Sequence, residues 1–194
     1  MKKPPAKRTR NAAATREAIL KSARAAFARA GYDGVGVREI AASAGVTAMM
    51  VNRYFGSKEK LFAEVSVDTM ANPFILTDEV LGSKNPGERM AEILVELTRT
   101  DATPLDGFLV MVHSASSKRA AEIGREQIEK HHLKTLTAAL SGPDAAQRAA
   151  VMLAMVAGFQ AMRQMIGLST LAKSKPQTLV KLLAPLFQKL IDGR

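Results

Sequence analysis

Residues 36–61 read Gly-Val-Arg-Glu-Ile-Ala-Ala-Ser-Ala-Gly-Val-Thr-Ala-Met-Met-Val-Asn-Arg-Tyr-Phe-Gly-Ser-Lys-Glu-Lys-Leu, which parses as two short helices hinged at Gly45 and a capped third. Ile40, Ala41 and Ala44 share one helical face, and Gly45 takes the positive φ that ends a helix and turns the chain sharply. Val46 plugs the turn. Thr47 is a natural N-cap for the next helix, whose inward face is Val51 and Phe55. Ala48, Met49, Asn52 and Arg53 then point outward, while Met50 is either a reader or core. The second helix stops at Gly56, and Ser57 caps another that starts at Lys58 and buries Leu61 and Phe62. A helix presented this way suits a DNA major groove.

Charge supports that reading by its distribution. Residues 1–63 hold 13 Lys and Arg against 4 Asp and Glu, a net +9, whereas residues 64–194 hold 15 against 14, a net +1. The excess sits with the helix-turn-helix pattern, and a polyanion is the direct partner for it, because neutralising phosphates releases condensed counterions. The rest of the chain needs another task. The hydrophobic 47% is mostly Ala, Leu, Val and Met with no Trp, which favours helices throughout. There is no Cys, which excludes disulfides, zinc-thiolate sites and Cys nucleophiles and suits a reducing, cytoplasmic location. The longest uncharged stretch runs from Ala149 to Met162 and is closed by Arg163, short of the ~18 apolar residues of a membrane span.

Outward from the motif, Met1 to about residue 13 carries Lys2, Lys3, Lys7, Arg8 and Arg10 around Pro4 and Pro5, and reads as a basic disordered arm, either a solubilising tail or a segment that lies along phosphates. Ile19, Ala23, Ala26, Phe27 and Ala30 predict an amphipathic helix over 14–30. The helix after Ser57 continues as a connector to the Asn72-Pro73 break. Further helices follow from Pro86 (Met90, Ile93, Leu94, Leu97 inward) and after Pro104 (Phe108, Met111, Val112 inward). A long charged one spans 117–140 with Ile123, Ile128, Leu133, Leu136 and Leu140 as its seam. Residues 145–168 form the most apolar helix, and Ser174-Lys-Pro-Gln reads as a capping box opening a last helix kinked at Pro185.

The run from Ile40-Ala41 through Gly45-Val46-Thr47 and the string Tyr54-Phe55-Gly56-Ser57-Lys58-Glu59-Lys60-Leu61 resemble the N-terminal domain of TetR-family transcriptional regulators. The resemblance is specific over residues 14–63 and one of organisation beyond. It implies an all-α protein: an N-terminal three-helix DNA-binding domain (14–63) with a helix-turn-helix, joined through a connecting helix to a C-terminal helical ligand-binding and dimerisation domain (64–194). It also implies a homodimer through the last two long helices, a double-stranded DNA operator, and a repressor released by a small-molecule effector. Arg38 then reaches DNA from the start of the second helix, Thr47 to Arg53 form the recognition helix with Tyr54 as a further DNA-binding residue, and Lys58 meets a phosphate. Two positions depart from the family pattern: Asn52 stands where an aromatic residue often contacts phosphate, and Val37 where a Thr often caps.

Ala48, Met49 and Met50 lack hydrogen-bond donors, which leaves Arg38, Thr47, Asn52 and Arg53 for polar readout, with Met side chains available to thymine methyls. In the C-terminal part, Met152, Met155, Phe159, Met162 and Ile166 form one stripe of a helix that is apolar nearly all round, so it needs cover from its own bundle and from a second copy. Leu94, Leu97, Phe108, Met111, Phe159 and Met162 are the expected lining of an effector pocket, adaptable because Met is unbranched and polarizable. His113 either orients a ligand or is hydrogen-bonded within the structure. His131 and His132 read as a solvated face, and Glu129 with His132 is one metal-type pair without a second set. No metal or cofactor is expected. No phosphate loop, thiol or clustered His and carboxylate set points to an enzyme. A non-specific DNA-coating protein would share the charge but has no need of the Gly45 turn and its capped reader helix.

Overall fold

The first helix starts at Ala6, not at Ala14 as its apolar spacing predicts. The reason is local: residues 6–13 are rich in Ala, Arg and Lys, all strong helix formers, and hold no Gly or Pro. The computed structural model describes residues 6–70, 77–102 and 105–193, with the backbone alone at 6–11, 70 and 78. Residues 1–5 of the expected arm and the Asn72-Pro73 break lie outside the described residues. The helices in chain order are α1 (Ala6–Ala30), α2 (Val37–Ser43), α3 (Ala48–Phe55), α4 (Lys58–Met70), α5 (Asp78–Leu81), α6 (Pro86–Leu97), α7 (Asp106–Ser114), α8 (Lys118–Ile128), α9 (Lys134–Ala139), α10 (Ala145–Gln160), α11 (Ser169–Ala172) and α12 (Pro176–Asp192). Two π-helical turns, Glu129–Leu133 and Ala161–Met165, continue α8 into α9 and extend α10. All regular structure among the described residues is helical.

The chain forms two compact units that do not follow chain order: residues 1–71 with 105–127, and residues 72–104 with 128–194. In the first unit α1 is the axis. Its Ile19, Ala23 and Phe27 are buried with Ile40 and Ala41 of α2, Val51 and Phe55 of α3, and Leu61, Phe62 and Val65 of α4. Ala30, expected inward, is exposed. From α7 and α8, Val110 and Ile123 join this same core. Each fully buried Leu, Ile or Phe contributes about 1.5–3 kcal/mol, so these contacts dominate the unit's stability. Ion pairs add direction: Arg16 to Glu64 and Arg24 to Asp68 tie α1 to α4, and Arg29 to Glu39 ties it to α2. Part-exposed pairs of this kind are worth ~0–1 kcal/mol each, so they set register more than stability.

In the second unit α6 and α12 lie against one another over a core of Met90, Leu94, Leu136, Met152 and Phe187. Gly87 lets them approach: a Cβ there would stand 2.7 Å from both the Ala184 carbonyl oxygen and the Gln188 nitrogen, and the Gly87 N–H donates to Gln188 Oε1 at 3.0 Å. α12 runs through Pro185 to Asp192, as its apolar spacing predicts. Its N-cap is Lys175, not Ser174, because Pro176 occupies the first helical turn; the Ser174 hydroxyl instead donates to the Thr170 carbonyl at 2.6 Å. Along the 117–140 seam Ile123, Leu136 and Leu140 are buried, while Ile128 and Leu133 are half-buried.

Arg148 is buried, and its guanidinium is spent entirely on carbonyls. Nε donates to Pro143, Nη2 to Ser141, and Nη1 to Leu190 at 2.7 Å and Ile191 at 3.0 Å. It thereby caps the C-terminal end of α12, where orphan carbonyls and the helix dipole favour a cation.

Candidate nucleic-acid interface

The turn between α2 and α3 is closed by the backbone. The N–H groups of Ala44, Gly45 and Val46 donate to the carbonyls of Ile40, Ala42 and Ala41 at 3.0, 3.1 and 2.9 Å. Gly45 has φ +69, the left-handed conformation expected of it, with nothing within 4 Å of where a Cβ would stand. Thr47 caps α3, its Oγ1 accepting from the Met50 N–H at 3.3 Å. Val51 and Phe55 are buried beneath, so the opposite face is forced outward. Met49 is 77% exposed, Asn52 and Arg53 are exposed, and Ala48, Met50 and Tyr54 are half-buried.

Val37 leaves α2 without a side-chain cap, since Gly36 holds the N-cap position. The helix is held from α1 instead, through the Ser22 hydroxyl donating to the Ile40 carbonyl at 2.9 Å and through the Arg29–Glu39 pair. Arg38 is exposed beside them. The charges therefore divide in two. Arg16, Arg24 and Arg29 are engaged by carboxylates, and Arg16 also stacks 4.8 Å from the Phe55 ring centre. Arg38 and Arg53 have no ion-pair partner among the described residues.

Ser57 caps α4, accepting from the Lys60 N–H at 3.2 Å. Hydrogen bonding to Ser57 and to the backbone holds the Glu59 carboxyl below its ordinary value. Lys58 lies over the Tyr32 ring, 4.3 Å from its centre. That ring is itself fixed, edge-on to Phe62 at 5.0 Å and stacked with Phe27 at 6.1 Å, and the Tyr32 N–H donates to Ser114 Oγ at 2.9 Å. Burial, then the nearby Glu59 charge, raises the Tyr32 hydroxyl above its ordinary value. Ser114, from α7, is a contributor that sequence spacing did not reveal, because it lies 82 residues away in the chain and only the packing of α7 into this core brings it here.

The residues expected to line an effector pocket are divided between the two units. Leu94 is fully buried in the second core, with Leu97 and Phe159 half-buried against it. Met162 is 46% exposed. Phe108 and Met111 belong to the first unit, Phe108 buried and Met111 half-buried. His113 is a structural residue: its Nδ1 faces the Ala28 carbonyl at 2.6 Å, so that nitrogen carries the proton and donates. His131 and His132 are half-buried in the π turn and not on a solvated face, and burial, then the neighbouring His131, lowers the His132 pKa. Among the described residues no three His, Asp or Glu side chains come together as metal ligands.

No helix among the described residues is long and apolar enough to cross a membrane. No curated protein matches the chain. Solved structures do. The chain is similar to a TetR-family regulator from Streptomyces coelicolor at 25% identity, over 92% of this chain and 95% of that one, with a TM-score of 0.60. It shares its fold with a transcriptional regulator from Rhodococcus sp. (24% identity, 92% and 96% covered, TM-score 0.63) and with Salmonella enterica GusR (18%, 91% and 95%, TM-score 0.70). Residues 19–65 match the model of bacterial regulatory proteins of the tetR family, and residues 85–191, more than half the chain, match the tetracyclin repressor-like C-terminal domain. With a capped reader helix in the first stretch and an all-helical second unit, the chain belongs to the TetR family of DNA-binding transcriptional regulators.

Proposed function

We propose that this regulator is a cytoplasmic homodimeric repressor that binds a palindromic operator and leaves it when a small effector enters the second unit. One observation supports the dimer most strongly. Of nine large hydrophobic residues exposed among the described residues, seven lie between Val151 and Leu186, on α10 with its π turn, the segment after it, and α12. Exposed apolar patches of this kind mark interfaces, and a second copy covers them with the same patch. Gly158, with open space where a Cβ would stand, admits a close helix approach. Two copies bring two α3 helices, each presenting Met49, Asn52 and Arg53 together with Arg38, to successive major grooves.

In this reading Arg53 and Asn52 read base edges, Met49 packs on thymine methyls, and Lys58 with Thr47 and Tyr54 position the helix on phosphates. Repression follows from occupancy of the operator. A reporter carrying the selected operator upstream of a promoter tests it: expression low with the regulator present and restored when its gene is deleted supports repression, and expression that falls on deletion shows an activator instead.

A further inference from the structure

Two buried arginines lie in the second unit, and they are treated differently. Arg148 has its three nitrogens committed to carbonyls. Arg163, at the centre of the π turn, is only 4% exposed, and a single one of its nitrogens is spent: Nη1 donates to the Val95 carbonyl at 2.6 Å and to Thr98 Oγ1 at 3.0 Å. Its Nε is buried with no hydrogen-bond partner, and its Nη2 has none among the described residues. Nε–H and the adjacent Nη2–H form one edge of the guanidinium, the two-donor fork that matches a carboxylate.

Among the described residues no carboxylate is paired with it. Glu96 is the acidic residue whose charge Arg163 feels, yet Glu96 is hydrogen-bonded to Arg99 at 3.0 Å, and Arg99 holds Asp101 as well. Burial therefore pulls the Arg163 pKa below its ordinary value, with Glu96 opposing. A buried cation without a carboxylate partner is costly, and the two bonds made by Nη1 use only one end of the guanidinium, leaving the Nε–Nη2 edge without a structural task. The surroundings hold the fork in place. The Phe159 ring lies 5.8 Å from the guanidinium carbon, and the next residue, Gln164, is tied to the Arg99 carbonyl at 3.1 Å and to Gln160 at 3.2 Å. A π turn at this position fits a ligand site, since such turns recur where function distorts a helix.

We propose that the open Nε–Nη2 edge of Arg163 binds the carboxylate of the effector, which places the effector among organic monocarboxylates with an apolar body seated beside Phe159. A monoanion is favoured because one buried positive charge and one two-donor edge match one planar carboxylate; a phosphate dianion would leave charge unmatched. This rests on the reading of the second unit as the effector module, and goes beyond it in naming the ligand class.

The test is a thermal-shift and calorimetric titration of the full chain with octanoate, decanoate, phenylacetate and benzoate, with their primary amides and inorganic phosphate as controls. At least one carboxylate raises the melting temperature of the wild type, its amide and phosphate do not, and Arg163→Gln loses at least tenfold in affinity for it. Arg163→Met, which keeps the volume but removes the charge and the bonds to Val95 and Thr98, shows no carboxylate response. The proposal is overturned if no carboxylate binds, if amides or phosphate bind as well, or if Arg163→Gln responds like the wild type. A carboxylate that binds through Arg163 without changing operator affinity leaves this inference standing and refutes effector release. Release by a neutral compound alone does the reverse.

Discussion

The ammonium of Lys58 rests 4.3 Å from the centre of the Tyr32 ring, at the N-terminus of α4 and beside the turn that ends the reader helix. The ring is locked by Phe27 and Phe62, so the lysine is held at the helix end, where backbone N–H groups and the dipole already favour an anion. A phosphate contact from this position carries no base information. Lys58→Ala is therefore expected to weaken binding to operator and scrambled duplexes by the same factor and to lower the slope of log affinity against log salt by about 1. Fluorescence anisotropy at several salt concentrations reads both quantities.

Arg53 differs in being exposed on α3 with no carboxylate partner among the described residues. Its loss should fall on specificity. Arg53→Ala is expected to cost about 1–3 kcal/mol on the operator and far less on scrambled DNA. Equal losses on the two duplexes in the same titration would remove its readout role.

Leu182 and Leu186 are 63% and 51% exposed on the single chain, so a charge there costs the fold little. Leu182→Asp and Leu186→Asp are expected to sediment as monomers with unchanged helical circular dichroism, and to lose operator affinity together with the dimer. A wild-type monomer at micromolar concentration in analytical ultracentrifugation would contradict the proposed interface.

Arg148 joins carbonyls from the ends of α9 and α12. Arg148→Met leaves those buried acceptors without their charged donor and should lower unfolding free energy by at least ~2 kcal/mol. Arg163 serves one carbonyl and one hydroxyl where Arg148 serves four carbonyls, so Arg163→Met should destabilise less, a contrast visible in paired urea titrations.

Gly45 and Gly87 resist substitution for different reasons. Gly45→Ala meets open space and pays only the left-handed backbone penalty, about 1–2 kcal/mol. Gly87→Ala drives a methyl into the backbone of α12 and must separate α6 from it, so its urea midpoint should fall further.

Local signals carried the reader helix well, because its caps and hinge depend on residues within a few positions: Thr47 caps, Gly45 turns and Val51 with Phe55 go inward, as their spacing implies. What escaped depends on distant parts of the chain. Nothing near Asp106 says that α7 joins the core of α1, or that Ser114 will hold Tyr32. The capping pattern at Ser174 misled because Pro176 shifts the helix start by one residue. Arg163 was visible only as the charge that closes an apolar run; its unpaired edge is a property of packing, and no periodicity reports it.

The central claim is sequence-specific binding by a two-fold symmetric pair of reader helices. Selection of duplexes bound by the full chain from a random pool, followed by footprinting of the winner, tests it most directly. The account predicts an enriched palindrome with two protected half-sites about one helical turn apart, or a multiple of it. An unenriched pool, or protection that spreads evenly along any duplex and follows salt alone, would contradict it.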